Sequence, residues 1–530
     1  MLIPKKNKYR YICQTPLQLA SIYDIICTRY EHVLRVSMEG IRMRESGILL
    51  HITSLPEKGG IGTLGRAAYD FVDFLKDSGI NIWQVLPVGP VGYGESPYQS
   101  VSTYAGNPLL IDLKMLEEKG LLKAGEFELL PDGDQVDFDA VRAAKEKALR
   151  CAYANGREKT DLSAFIRENP WVEEYALFMA LKMHFGGGTW QNWPMDVRLR
   201  KEDSMKKWRK ELAEEISYYI FVQKLFFDQW FALRRYANER GIRLFGDMPI
   251  YVAEDSADMW ANPDAFQLDE ERKPVKVAGV PPDYFCADGQ LWGNPLYNWK
   301  AMKKRRFDWW MQRMRAMGKL YDMVRVDHFI GFANYYAIPY GAPNARSGNW
   351  IKAPGRSLFR RMKKEVPEVT IIAEDLGEVN NRVKRLLKYC GYPGMKVLTF
   401  GFDGGADNPH NPANYSKNSV VYTGTHDNDT AKGFWDSADA ALKEKAAKIL
   451  NLSEWDDVVG KMIEAVWSSP CARAIVPMQD FLRIGTEGRM NSPGLVGGWW
   501  GWRMTENAPD KVKEEIKALN KKYARGGNTR

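Results

Sequence analysis

The stretch MVRVDHF, residues 323–329, decides how this chain reads. Side chains alternate along a strand, so Arg325 and Asp327 leave it on one side and Val324 and Val326 on the other. A short β-branched run that closes abruptly on charge is the form expected of a parallel strand ending at the mouth of a barrel. Working outward, runs of this kind recur at 47–52, 81–88, 244–250, 369–376, 395–402, 419–427 and 472–482, making eight with 323–327. Amphipathic segments lie between most of them. The expected architecture is α/β, a (β/α)8 TIM barrel.

At 530 residues the chain is longer than the roughly 250–300 at which a single core stops growing, so the barrel should carry additions. The second and third runs stand too far apart for one crossover, and residues 113–243 are expected to form an inserted, mostly helical subdomain. Within it, 139–154 reads as a helix stopped at Asn155-Gly156, and Pro170 opens another that ends at Gly186-Gly187-Gly188. Residues 211–240 read as one long helix or two short ones. Residues 43–112 and 244–530 are assigned to the catalytic barrel, whose last outer helix begins at Pro509, with Val512, Ile516, Leu519 and Tyr523 along one face. Residues 1–42 lack such punctuation, and Met38 and Met43 both stand just before the first credible strand. That segment reads as a disordered extension or a misassigned start.

Composition excludes several classes of function. A hydrophobic content of 45% with 27% charged residues is that of a globular protein. Of the net charge of +8, residues 1–42 supply +4, and no Lys/Arg stripe with interleaved aromatics marks a nucleic-acid footprint. Six cysteines without a C-x-x-C pair fit reduced thiols in the cytoplasm, and no run approaches the ~18 apolar residues of a membrane span. The six histidines show no metal-binding spacing, and no cofactor is expected. One GxGxxG pattern, residues 60–65, imitates a dinucleotide loop. The sequence TSLPEKG separates it from its strand, however, and no acid stands about 20 residues beyond on a second strand end.

Three strand-like runs end in carboxylates, Asp327, Glu374 and Asp427. Glycosidic-bond chemistry needs one ionised carboxylate as nucleophile and one protonated carboxyl to release the leaving oxygen, and a third acid can steady the developing cation. Arg325 is expected to lower the pKa of Asp327, although the same spacing suits an ion pair that merely fixes the barrel rim. Glu374 competes with Asp375, since neighbours on a strand face opposite ways and only one can reach the site. Asp427 sits in an unusually polar cluster with His426, Asn428 and Asp429, a cluster that would also serve to cap a helix.

From about Met43 to the C-terminal helix the chain resembles the 4-alpha-glucanotransferases of glycoside hydrolase family 77, the amylomaltases or disproportionating enzymes. The resemblance is carried in order by RESGILLHITSLP, YGESPYQSVSTYAGNPLLIDL, GDMPIYVAEDSADMW, ADGQLWGNPLYNW, VRVDHFIGF, IIAEDLGEV, YTGTHDNDT and GTEGRMNSPG. It implies Asp327 as nucleophile, Glu374 as acid/base and Asp427 as transition-state stabiliser. Sugar contacts are implied at Tyr98, Asp247, Gln290, Trp292, Arg325, Asp403 and His426, and a second glucan patch is suggested near Tyr93. The implied reaction moves α-1,4-glucan segments between maltooligosaccharides by a retaining double displacement. Water would be excluded by the glycine-containing loops around Gly289 and Gly485. Trp499 in GGWWGWRM departs from the family pattern, which more often has asparagine there.

Overall fold

The computed structural model describes residues 44–282, 287–377, 379–495 and 497–526. The 1–42 extension and the side chain of Tyr93 lie outside the described residues. Twelve strands are described in chain order. They are β1 (Glu45–Leu49), β2 (Ile82–Gln84), β3 (Arg243–Met248), β4 (Lys276–Val280), β5 (Gln290–Pro295) and β6 (Met323–Val326), then β7 (Asn334–Pro339), β8 (Asn349–Lys352), β9 (Thr370–Ala373), β10 (Gly394–Val397), β11 (Ser419–Tyr422) and β12 (Arg473–Pro477).

Eight of these pair in parallel in the order β10-β11-β12-β1-β2-β3-β6-β9. The Ala373 N–H donates to the Pro393 carbonyl (2.9 Å) and so brings β9 against β10. This is the expected barrel, and its strands carry buried apolar side chains such as Ile48, Phe245, Val324, Ile372, Val421 and Ile475. Each apolar run read from the sequence overshoots its strand at the C-terminal end. Many residues that continue the runs stay buried while leaving the ladder, as in the single helical turns Ile52–Ser54 and Met478–Phe481 and, apart from the exposed Phe400, Leu398–Gly401. Those turns build the floor of the barrel mouth.

Helices fill the long connection between β2 and β3. Phe138–Gly156 and Trp171–His184 fall where the glycine and proline signals placed them. Residues 211–240 hold the end of one helix, Glu202–Glu211, and the whole of a second, Ala213–Glu239, parted at Leu212. The long helix is tied to the barrel by buried amides: Gln223 exchanges hydrogen bonds with both backbone groups of Gly106 (2.7 and 2.9 Å), and Gln229 does the same with Asp112 (2.8 and 3.0 Å). Gly106 permits this contact, because a Cβ there would stand 1.9 Å from the ring of Phe226.

A second sheet, β5-β4-β7-β8, is antiparallel, and its strands of four to six residues are too short to carry a periodic signal in the sequence. The glycines of the GxGxxG pattern serve packing: a Cβ on Gly62 would meet the Ile52 carbonyl at 2.0 Å, and one on Gly65 the Asp112 carboxylate at 2.2 Å. That carboxylate occupies the ground a pyrophosphate would need.

The opposite end of the barrel is sealed by the C-terminal helix Asp510–Tyr523 and the arginine after it. Arg525 is buried and donates to the carbonyls of Trp467 (2.6 Å), Ser469 (2.8 Å), Cys471 (3.0 Å) and Glu45 (3.0 Å), joining the start of β1 to the start of β12. Burial first, then the charge of Arg44, pulls its pKa down to about 9. In a barrel of this kind the N-terminal face governs stability and the C-terminal face chemistry. Arg525→Ala should therefore lower stability by roughly 2–4 kcal/mol, the cost of stripping charged hydrogen bonds from buried carbonyls. Thermal melting should show the loss, with kcat for the folded protein unchanged.

Candidate active site

The C-terminal ends of β3, β6 and β9 deliver one charged cluster. Asp247 on β3 and Arg325 on β6 are register partners, so their side chains leave neighbouring strands on the same side. Arg325 Nη1 meets Asp247 Oδ2 at 2.5 Å and Arg325 Nη2 meets Asp327 Oδ1 at 2.8 Å. The Tyr98 hydroxyl donates to the same Asp247 oxygen (2.6 Å) and lies 3.5 Å from Arg325 Nη1. Arg325 is only 4% exposed in its side chain and Asp247 0%, whereas Asp327 keeps 27%, so Asp327 is the member of the trio that opens to the cleft. The two flanking carboxylates hold the guanidinium well above its ordinary pKa against the opposing effect of burial.

Glu374 follows β9 and is held differently. Its Oε2 accepts the backbone N–H of His328 (2.7 Å) and its Oε1 that of Leu376 (2.6 Å). His328 reaches this position through a left-handed backbone (φ 47°) directly after Asp327. Burial first, then the charge of Asp327, pushes the Glu374 carboxyl up to about 8; Arg325 and the two backbone donors oppose the rise. Asp375 faces the other way and accepts from the Met395 N–H (2.7 Å) on β10. The alternation of a strand thus separates the two acids: Glu374 enters the cluster and Asp375 stitches the seam between β9 and β10.

Arg325 lowers the Asp327 pKa through its charge and its hydrogen bond, as expected. Burial lifts Asp327 above the ordinary aspartate value and outweighs the guanidinium, while nearby Asp427 adds to the rise. Asp247 is raised for the same first reason. Arg325 bonds Asp247 and Asp327 directly, whereas its charge acts on Glu374 through space.

Asp427 lies in the segment after β11. Its Oδ1 accepts from Asn491 Nδ2 (2.7 Å), and its Oδ2 lies 3.4 Å from His426 Nε2. The His426 ring is stacked on Tyr98 (5.1 Å between centroids, 10° between planes), with Trp500 beside both at 5.8 and 6.0 Å. Burial lowers the pKa of His426, favouring the neutral ring. From the second sheet, Trp292 on β5 sets its edge against His328 (4.8 Å) and donates its indole N–H to Gln290 (3.0 Å). The fold thereby brings Tyr98, Asp247, Gln290, Trp292, Arg325, His426 and the three acids into one connected neighbourhood.

Asp403 is not joined to it. It is exposed, pairs with Lys445 (3.0 Å), and caps its own loop at Gly404. Sequence reading passed over Asn491, Trp500 and the backbone of His328. Asn491 stands in GRMNSPG, a quoted motif whose asparagine has no helix to cap, and that was the available signal. Trp500 has φ 72°, a conformation that sequence gives no means to foresee. Among the described residues, no three His, Cys, Asp or Glu side chains are grouped to hold a metal ion.

The family model of the 4-alpha-glucanotransferases, glycoside hydrolase family 77, matches residues 50–508. The chain belongs to that family. The 4-alpha-glucanotransferase of Clostridium butyricum is 44% identical over 485 residues, covering 90% of this chain and 100% of that protein. That of Thermus thermophilus is 47% identical over 477 residues, covering 87% and 95%. The amylomaltase of Streptococcus agalactiae, solved in complex with acarbose, superposes with a TM-score of 0.89 at 39% identity over 91% of this chain and 100% of that one. The enzyme accordingly acts on α-1,4-glucans, moving segments from one chain to another. Among the described residues, no helix is long and apolar enough to cross a membrane.

A carboxyl raised in the fold contributes stability that is complete below its unfolded pKa and lost as pH rises through its folded one. For Glu374 that window runs from the ordinary glutamate value of 4.5 to about 8. Glu374→Gln removes the cost of ionising a buried acid. Relative to the unsubstituted enzyme, the variant's melting temperature should climb between about pH 5 and pH 8, as measured by calorimetry across that range.

Proposed function

We propose that this glucanotransferase works by a retaining double displacement in which Asp327 is the nucleophile, Glu374 the acid/base and Asp427 the stabiliser of the oxocarbenium-like transition state. The observation that carries this reading is the asymmetry around Arg325: the guanidinium bonds Asp327 at 2.8 Å, while among the described residues Glu374 receives two backbone N–H groups and no direct ion pair. The proton of the cluster then belongs on Glu374 and the negative charge on Asp327, the states that leaving-group protonation and attack require.

In the first step the Asp327 carboxylate attacks the anomeric carbon as Glu374 gives its proton to the departing 4-oxygen of the donor. This leaves a β-linked glycosyl-aspartate and an ionised Glu374. In the second step Glu374 takes the proton from the 4-hydroxyl of an acceptor glucan, whose oxygen attacks the same carbon and restores the α-linkage. Asp427, fixed by Asn491, faces the positive charge that develops in both steps. Tyr98, Asp247, Arg325 and His426 bind the ring that reacts. Asp247 Oδ1 is buried without a hydrogen-bond partner among the described residues, which suits it to accept from a sugar hydroxyl. Gln290 and Trp292 bind further along the glucan, and Asp403 is assigned an outer contact on resemblance alone. Transfer exceeds hydrolysis because bound acceptor fills the cleft and keeps water from the intermediate, with the loops around Gly289 and Gly485 as its walls. A cytoplasmic setting is part of the same reading, supported by Cys151, Cys390 and Cys471 being free thiols.

Two outcomes test it. Incubation with maltotriose should give glucose and a ladder of longer maltooligosaccharides, and Asp327→Asn should abolish the ladder while calorimetry still registers acarbose binding. The pH profile of kcat/KM should fall on the alkaline side with an apparent pKa near 8, where Glu374 loses its proton. Its acid limb should lie above the ordinary aspartate value, because Asp327 is raised by burial.

A further inference from the structure

Asp480 is fully buried just beyond β12, and nothing in the reaction as described uses it. Its carboxylate spans both ends of the segment that carries His426 and Asp427. The Thr423 hydroxyl, at the first position past β11, donates to Oδ2 (2.6 Å), and the Ala431 N–H, at the start of helix Ala431–Ser437, donates to Oδ1 (2.7 Å). Both partners are themselves buried. Next to it, Gln479 donates to the Gly488 carbonyl (3.1 Å) and so holds the turn Thr486–Gly488. That second segment reaches the first at two places, Thr486 to Asp429 (2.9 Å) and Asn491 to Asp427 (2.7 Å). A charged acceptor with two short donors in a dry setting fixes geometry more firmly than a neutral one.

We propose that Asp480 is a positioning residue for the transfer reaction, clamping Thr423 and Ala431 so that the Asp427 carboxylate stands at a fixed place beside the reacting sugar. The inference rests on the reading of Asp427 as transition-state stabiliser. Asp480 touches neither substrate nor reacting atoms in this account. It acts through the backbone between its two donors, where a displacement of about 1 Å costs on the order of a hundredfold in rate.

The test is steady-state disproportionation of maltotriose by Asp480→Ala, Thr423→Val, Thr423→Ser and Asp427→Asn, each at a temperature where circular dichroism shows it folded. Thr423→Val keeps the shape of the side chain and removes only the donor, so it remains informative if Asp480→Ala fails to fold. The expected result is a kcat lowered about 10- to 100-fold in Asp480→Ala and Thr423→Val with KM within about threefold, the signature of an interaction realised only in the transition state. Thr423→Ser, which retains the hydroxyl, should stay within about threefold of the unsubstituted enzyme. A Thr423→Val enzyme that melts lower yet keeps its kcat, while Asp427→Asn loses activity, would overturn the clamp and leave the catalytic reading intact. An Asp427→Asn enzyme with undiminished kcat would overturn the reading on which the clamp stands.

Discussion

One guanidinium among three carboxylates is the constraint on which the site depends. Arg325 is buried, cannot discharge, and has two of its nitrogens committed to Asp247 and Asp327. Burial alone would push every acid in the cluster toward its neutral form, and for each of Asp247, Asp327 and Glu374 it is the largest influence. The arginine breaks that equivalence. It stabilises the ionised form most directly where it makes contact and reaches Glu374, which is held by backbone donors, only through space. A difference of that kind between two carboxyl groups of similar intrinsic acidity is what the proposed pairing of Glu374 as acid with Asp327 as nucleophile requires.

The barrel makes the arrangement affordable. Parallel pairing of β3 and β6 sets Asp247 beside Arg325, and pairing of β6 with β9 brings Glu374 within reach of the His328 N–H. Each charged group stands at a strand end, where the ladder has released its backbone and side chains face the cleft. The opposite end of the barrel, around Arg525, is devoted to closing carbonyls of β1 and of the segment before β12. Additions to the barrel supply the aromatic walls: the antiparallel sheet contributes Trp292 through β5, and the segment before the C-terminal helix contributes Trp500. The strained backbones at His328 and Trp500, both at positive φ, fall within this same region. Local strain of that kind is sustained only where surrounding structure over-determines it.

The eight parallel strands were legible because each buried run is short, β-branched and ends on polar residues. Their C-terminal limits were not, since the turns that leave the ladder at Ile52–Ser54 and Met478–Phe481 are as buried as the strands. Helices in the long connection announced themselves through Asn155-Gly156, Pro170 and the glycine triplet. The antiparallel sheet did not, because strands of four to six residues such as Asn349–Lys352, partly exposed, carry little periodic signal. Alternation along β6 correctly paired Arg325 with Asp327. Physics alone left Glu374 and Asp375 undivided, because the choice depends on which side of β9 faces the barrel mouth, and two consecutive acids say nothing of that. The lowering of the Asp327 pKa by Arg325 was legible because the arginine is visible in the sequence, whereas the depth of burial that outweighs it belongs to the assembled site.

The account stands or falls on the location of one proton. Site-specific 13C labelling of the Glu374 and Asp327 carboxyl carbons, followed by NMR through a pH titration of the free enzyme, reads it directly. The account predicts a neutral Glu374 at pH 7 that ionises near pH 8, beside an Asp327 already ionised at pH 7. An ionised Glu374 beside a protonated Asp327 at pH 7 would contradict it.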